Sequence, residues 1–226
     1  IAEGDVAFKG KTKITLASVD KESEIYYSLG TDFVKYMSPF EISEKSTLKV
    51  YAQKGEGKSA VISTDFYKID PNVKIELKTK YANQYNAGGN DALIDGIVGA
   101  QDFRTGTWQG YWNEDVIAIV DLGKNRKISS VEVNFLRDQR SWIFLPTNVE
   151  IYHSLDGKRF RKIKNWKAPK PFNTDDVIIQ KVKTSQTINS RYIKVVAKKL
   201  GKLPTWHLGY PHDGRSWIFI DEIQIK

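Results

Sequence analysis

The segment 203–214, LPTWHLGYPHDG, places Trp206, His207, Tyr210 and His212 between turn-forming Gly and Pro residues. A Trp ring offers a flat π face on which the polarised C–H groups of a sugar ring stack. Its rigidity keeps the entropy cost of such a contact low. Trp206 is therefore read as a binding platform, with His207 and Tyr210 as polar neighbours that fix hydroxyls. Trp112, preceded by Tyr111 in the string TWQGYW, is a second aromatic candidate. The string RSWIF occurs twice, at 140–144 and 215–219. Each copy reads as the start of a strand, with Trp142 or Trp217 packed in the core or at its rim. Arg140 and Arg215 stand at the strand mouths. Their planar forks either donate to hydroxyls or a carboxylate, or pair with an Asp at the surface. Trp108, ahead of the first long strand, reads as core.

Other chemistries fare less well. Asp221-Glu222 is an adjacent carboxylate pair, but it follows SWIFI on a strand, and no other pair of carboxylates sits in a motif with a nearby base. Ile218, Ile220, Glu222 and Gln224 share parity, so strict alternation sets Glu222 on an apolar-leaning face. A carboxylate there needs a cation or an Arg to offset its desolvation. His153, His207 and His212 match no zinc spacing. Cysteine is absent, which removes disulfides, thiolate metal sites and Cys nucleophiles together. The run 158–170 carries seven basic residues and no acidic one. Phe160, Ile163 and Trp166 punctuate it as in a hairpin with a solvated basic face. A binder of anionic polymers is the alternative, and no nucleic-acid-binding signature is present.

These residues need a scaffold, and the composition says where it divides. Residues 1–70 hold ten Lys, no Arg and eleven acidic residues; all eight Arg and all six Trp follow Pro71. That shift at Asp70-Pro71 predicts domains at 1–70 and 71–226. Both read as β, from short runs rich in Ile, Val, Tyr, Phe and Thr with period-two alternation. Leu48, Val50 and Ala52 fall on one face, Lys49 and Tyr51 on the other. Five to seven short strands fit a small immunoglobulin-like sandwich in the first part. In the second, strands are predicted at 73–77, 116–121, 128–136, 148–154, 160–164, 177–183, 191–197 and 219–226. That pattern suggests a jelly-roll sandwich with long functional loops at 82–106 and 201–214. No apolar run is long enough for a membrane helix. The chain opens on Ile1-Ala2-Glu3-Gly4 with no signal-peptide pattern, as expected of a processed protein or an excised fragment.

The strings ALIDG, TGTWQGYW, VDLG, FLRDQRSWIFLPTNVEIYHSLDGKRF, RYIKVVAK and WIFIDEIQIK resemble a discoidin-type, coagulation factor 5/8 type C module. Bacterial glycosidases carry such modules as carbohydrate-binding appendages. TWQGYW and PTWHLGYP with RSWIFIDEI resemble most the C-terminal end of Bacteroidetes β-N-acetylhexosaminidases of glycoside hydrolase family 20. EIYYSLGTDF followed by MSPFEISEKSTLKVYAQKGEGKSAV is similar to the chitobiase/hexosaminidase C-terminal sandwich.

The resemblance implies an all-β chain, an immunoglobulin-like sandwich followed by a discoidin-type (galactose-binding-like) jelly roll. It also implies a catalytic barrel that lies outside this sequence and would be its partner in the same polypeptide. That barrel's Asp-Glu pair orients the substrate's own acetamido group and protonates the glycosidic oxygen; Asp221-Glu222 has the wrong context to be it. No catalytic residue is expected here. A structural Ca2+ ion is implied, with Asp95 of LIDG and Glu222 of IDEI at the matching positions, although the family's short loop is replaced after Gly96 by IVGAQDFRTG. The expected partners are glycans containing N-acetylglucosamine or galactose, with no nucleic acid, in a bacterial periplasm or at the cell surface. Arg140 joins Trp206, His207, Tyr210 and Trp112 as an expected sugar contact. The alternative is a pair of structural domains that brace the barrel or mediate protein contacts, with no sugar site.

Overall fold

The computed structural model describes residues 2–226. The chain forms two compact units, Ile1–Pro71 and Asn72–Lys226. The described residues contain strands and three short 3-10 turns, so the all-β class expected from the sequence holds. Among the described residues no helix is long and apolar enough to cross a membrane.

The smaller unit is built from β1 (Ala2–Glu3), β2 (Ala7–Phe8), β3 (Thr12–Leu16), β4 (Glu24–Ser28), β5 (Val34–Lys35), β6 (Phe40–Ile42), β7 (Ser46–Lys54), β8 (Gly57–Lys58) and β9 (Ile62–Lys68). One sheet has the order β1-β3-β6; the other runs β2-β9-β7-β4-β5, with β8 against β7. Alternation decides which side chains turn inward. Thr12, Ile14 and Leu16 are buried while Lys13 and Thr15 are exposed. Leu48 and Val50 are buried while Thr47 and Lys49 face solvent. With Phe8, Ile42 and Phe66, the inward apolar residues form one core between the sheets.

The larger unit follows with β10 (Lys74–Leu77), β11 (Gln109–Trp112), β12 (Val116–Ile128), β13 (Val131–Arg137), β14 (Asn148–Ser154), β15 (Arg161–Lys167), β16 (Ile178–Lys183), β17 (Ile188–Lys198) and β18 (Trp217–Ile225). Two antiparallel sheets, β10-β12-β17-β14-β15 and β11-β18-β13-β16, share a core that includes Val116, Val120, Ile151, Ile193, Val133, Phe135 and Ile220. The strand β13 is buried along its whole length. Its second face lies under the long connection that follows β10: Trp108, Tyr85 and Phe103 pack there with Leu136, Ile143 and Phe219. Trp108 is fully buried, as expected of a core residue, and its Nε1 donates to the Ala100 carbonyl at 2.7 Å.

Three local expectations change. β11 is a strand that the sequence pattern does not predict, because Gly110 interrupts its run of strand-forming residues. The glycine is required by packing: a Cβ there would meet the Phe219 ring at 2.7 Å and Tyr85 at 2.8 Å. The first RSWIF copy does not start a strand. It passes through a 3-10 turn (Gln139–Ser141), and Trp142 adopts a left-handed backbone with φ of 61°. The second copy does begin β18 at Trp217. Finally, strict alternation fails at Glu222. Val133 pairs with Ile223 and Phe135 with Ile220, so β18 carries one extra residue over Asp221 and Glu222. This bulge returns Ile223 to the core side and re-aims Glu222.

Candidate ligand-binding face and carboxylate site

Three segments meet at one end of the larger sandwich: the turn after β13, the connection between β15 and β16, and the loop before β18. They are tied by a few bonds. Trp217 donates its N–H to the Trp142 carbonyl at 2.8 Å, and Thr174 donates to Gln139 Oε1 at 3.3 Å. Leu203 donates to the Gly214 carbonyl at 2.8 Å and closes the 203–214 loop on itself. Between the segments lies a depression lined by Arg140, Trp142, Asn173, Asp175, Trp206 and Leu208.

Among the described residues Trp206 is the one exposed Trp, with 37% of its surface free. Its ring leans on Phe144 at 6.4 Å and on His207 at 5.9 Å between centroids. A rigid ring with a free face is what stacking on a sugar needs.

His207 corrects the expectation that it offers a hydrogen bond to ligand. It is buried, at 7% exposure, and both ring nitrogens are engaged. Nδ1 accepts the Gly209 N–H at 3.0 Å, so the ring proton sits on Nε2, which donates to the Gln139 carbonyl at 2.8 Å. The imidazole is thus a strut that holds the Trp206 loop on the turn after β13. Trp142 stands edge-on to it at 5.2 Å, and Gly209 lies so close that a Cβ would fall 2.0 Å from Trp142 Nε1.

The remaining candidates are placed as follows. Arg140 lines the depression, but its fork is closed on Asp175 by bonds of 2.7 and 2.6 Å, the surface ion pair that is its alternative reading. Tyr210 is half-buried with the Lys202 ammonium 4.6 Å from its ring centre. Trp112 faces Trp217 across the β11–β18 ladder, their rings 4.7 Å apart, and does not line the depression. Tyr111 is fully buried and donates its hydroxyl to Gln109 Oε1 at 2.7 Å.

The bulge of β18 builds a second polar site. Asp95, Asp221 and Glu222 are all buried. Asp221 is well served: its carboxylate accepts from the Gly99 N–H at 2.7 Å, from Asn134 Nδ2 at 3.3 Å and from the Glu222 N–H. Asp95 accepts the Ile97 N–H at 2.8 Å. Glu222 Oε2 is buried and has no hydrogen-bond partner among the described residues. Burial, then the neighbouring Asp95 charge, pushes the Glu222 carboxyl up to about 8. Burial, and then the Ile97 N–H pulling the other way, leaves Asp95 at about 6. An orphaned buried carboxylate oxygen beside a second carboxylate is the donor set of a hard cation. Among the described residues no group of three or more His, Cys, Asp or Glu side chains forms a metal cage, so backbone carbonyls would complete such a shell. The same burial keeps Asp221 and Glu222 from any substrate in solution.

Comparison with known proteins names the scaffold. The model of the F5/8 type C domain matches residues 76–223. The chain belongs to the F5/8 type C domain family. Solved structures similar to this F5/8 type C chain include a family 32 carbohydrate-binding module from a family 31 glycoside hydrolase of Clostridium perfringens. It is 18% identical with a TM-score of 0.44, over 70% of this chain and 95% of that one. The C-terminal domain of a chitobiase from Bacteroides fragilis is 20% identical with a TM-score of 0.41, over 69% and 93%. The family 32 module of Clostridium perfringens NanJ, solved in complex with galactose, is 16% identical with a TM-score of 0.41, over 68% and 93%. No curated protein matches the chain.

Sequence reasoning misses one feature of this F5/8 type C domain. Arg137, Gln139, Phe144 and Phe172 line a pocket that adjoins the Trp206 depression, with Gln139 in the wall of both. A signal for it exists. Arg137 continues the parity of Val131, Val133 and Phe135, which alternation sends into the core.

Proposed function

We propose that the F5/8 type C domain binds glycans through the Trp206 depression. The observation that carries this reading is the contrast between Trp206 and the other five Trp: among the described residues it alone is exposed, and a buried His207 strut holds its loop. A platform fixed before binding loses little entropy when the sugar arrives. Arg140 and Asp175, on the rim of the same depression, are the polar groups that would meet hydroxyls. Glycans that contain N-acetylglucosamine or galactose are the first to test.

The wider assignment is a non-catalytic C-terminal region of a β-N-acetylhexosaminidase-like glycoside hydrolase in a bacterial periplasm or at the cell surface. The strings of both domains that resemble family 20 enzymes support it. In that arrangement the catalytic barrel belongs to the same polypeptide, and the smaller unit is its hexosaminidase C-terminal sandwich. The cation proposed for Asp95 and Glu222 is Ca2+, in a structural role.

A glycan array probed with the purified chain tests the reading, alongside hydrolysis of an aryl N-acetylglucosaminide. The expected result is retention of specific glycans with no nitrophenol release. Release that Glu222→Gln abolishes would overturn the non-catalytic assignment, and an array without a specific ligand would overturn the binding one.

A further inference from the structure

Arg137, the last residue of β13, carries a charge that no described carboxylate offsets in an ion pair. Its side chain enters the end of the sandwich core and is 8% exposed. One guanidinium nitrogen reaches the Asp176 carbonyl at 3.5 Å, which is a long contact. Nε is buried and has no partner among the described residues. Three other arginines of this unit carry close ion pairs: Arg104 with Asp102, Arg140 with Asp175 and Arg191 with Asp121.

A buried charge with no carboxylate paired to it is costly, and the Asp176 carbonyl and the Phe172 ring offset it only in part. The surroundings of Arg137 indicate what offsets the rest. The pocket is lined by Arg137, Gln139, Phe144, Leu145, Lys170 and Phe172 and encloses about 170 Å³. An apolar cavity of roughly 150 Å³ accepts a benzene-sized group, so the carboxylate-bearing end of one sugar residue fits. Phe172 is exposed, and its ring centre lies 5.4 Å from the guanidinium carbon. Phe144 faces both ways, lining this pocket and touching Trp206. Lys170 adds a second positive charge at the exposed rim. A guanidinium that lines the pocket and is not engaged by a carboxylate matches a planar carboxylate.

We propose that the Arg137 pocket takes the carboxylate of an acidic sugar residue, so that the glycan bound across Trp206 is anionic. This rests on the glycan-binding reading and narrows its ligand class. Apolar walls accept the C–H faces of the ring, Arg137 holds the carboxylate, and the adjoining sugar lies on Trp206.

The test uses probes that differ in the charge: digalacturonate against its methyl ester, and sialyllactose against lactose, titrated calorimetrically into the whole chain. At least one acidic member should bind about tenfold or more tightly than its neutral counterpart. Arg137→Gln should erase that preference, the acidic probe falling to the affinity of its neutral counterpart. The variant should also melt at or above the wild-type temperature, because it removes an incompletely compensated buried charge. Lys170→Ala should weaken only the acidic probes, by a smaller factor. Equal affinity within both pairs overturns the acidic-sugar assignment and leaves glycan binding standing. Binding of none of the four probes, or of sulfated glycans alone on the array, also overturns it; an array with no ligand at all removes both readings. A large fall in melting temperature for Arg137→Gln would make Arg137 a structural residue and overturn its assignment to ligand.

Discussion

Ile223 donates its backbone N–H to the Leu93 carbonyl at 2.8 Å, and this bond holds the turn that bears Asp95 against the bulge that bears Glu222. Two carboxylates 127 positions apart in the chain thereby share one buried site. Where both are ionised, their mutual repulsion disfavours the cation-free fold, and a bound divalent ion would remove it.

Chelator is therefore expected to lower the thermal midpoint, and added calcium to restore it. A ligand that binds only the folded state stabilises it by about 2.7 kcal/mol at 100 times its dissociation constant. Glu222→Gln should abolish the response to calcium, and in chelator it should melt above the wild type at pH 8, because the crowded charge is gone. Differential scanning fluorimetry of both proteins, with EDTA and with calcium, checks this. A wild type indifferent to both additives would refute the cation site.

The turn between β14 and β15 predicts an acid-dependent step. Asp156 accepts the Arg159 N–H at 2.9 Å, the Lys158 N–H at 2.8 Å and the Ser154 hydroxyl at 2.9 Å. These bonds, the Arg159 amide first, hold its carboxyl at about 2 against an ordinary 3.8. The folded state thus favours the ionised form. Its contribution is present above about pH 4 and is lost as pH falls through about 2. The melting difference between wild type and Asp156→Ala should be constant from about pH 7 to about pH 4.5 and close below about pH 3. A gap that persists at about pH 2 would contradict this.

His207→Ala should cost about 2–4 kcal/mol of stability, since it opens a cavity and strands the Gly209 N–H and the Gln139 carbonyl. Sugar affinity should fall with it, because the Trp206 loop loses its strut. Urea titration gives the first quantity and calorimetry the second. A stable variant with lost affinity would restore His207 as a direct ligand contact.

Legibility in the sequence tracks how local each feature is. Leu48 and Val50 turn inward, as alternation predicts, because their pattern is set by the pleat alone. Alternation fails for β18 from Glu222 onward, because the extra residue shows only in the pairing of Phe135 with Ile220 and Val133 with Ile223. Trp142 reads as a strand residue because its string is identical to the one around Trp217. The two copies differ in what surrounds them: only the first follows a strand end and must turn. Trp206 is legible as the candidate platform from its turn-rich company. The role of His207 is not, since the carbonyl it bonds lies 68 positions away. Arg137 can be placed inward by parity, but the want of a carboxylate paired with it is a property of the folded neighbourhood.

The central claim is that Trp206 is a platform for sugar and not part of the core. Calorimetric titration of Trp206→Ala with the best glycan, beside its melting curve, tests it most directly. A single stacked ring gives a dissociation constant of roughly 0.1–1 mM, about 4–5.5 kcal/mol. The account predicts that the variant loses detectable binding and melts close to the wild type, because a ring with a free face leaves little cavity. Retained affinity, or a loss of about 3–5 kcal/mol in folding free energy as for a core Trp, would contradict it.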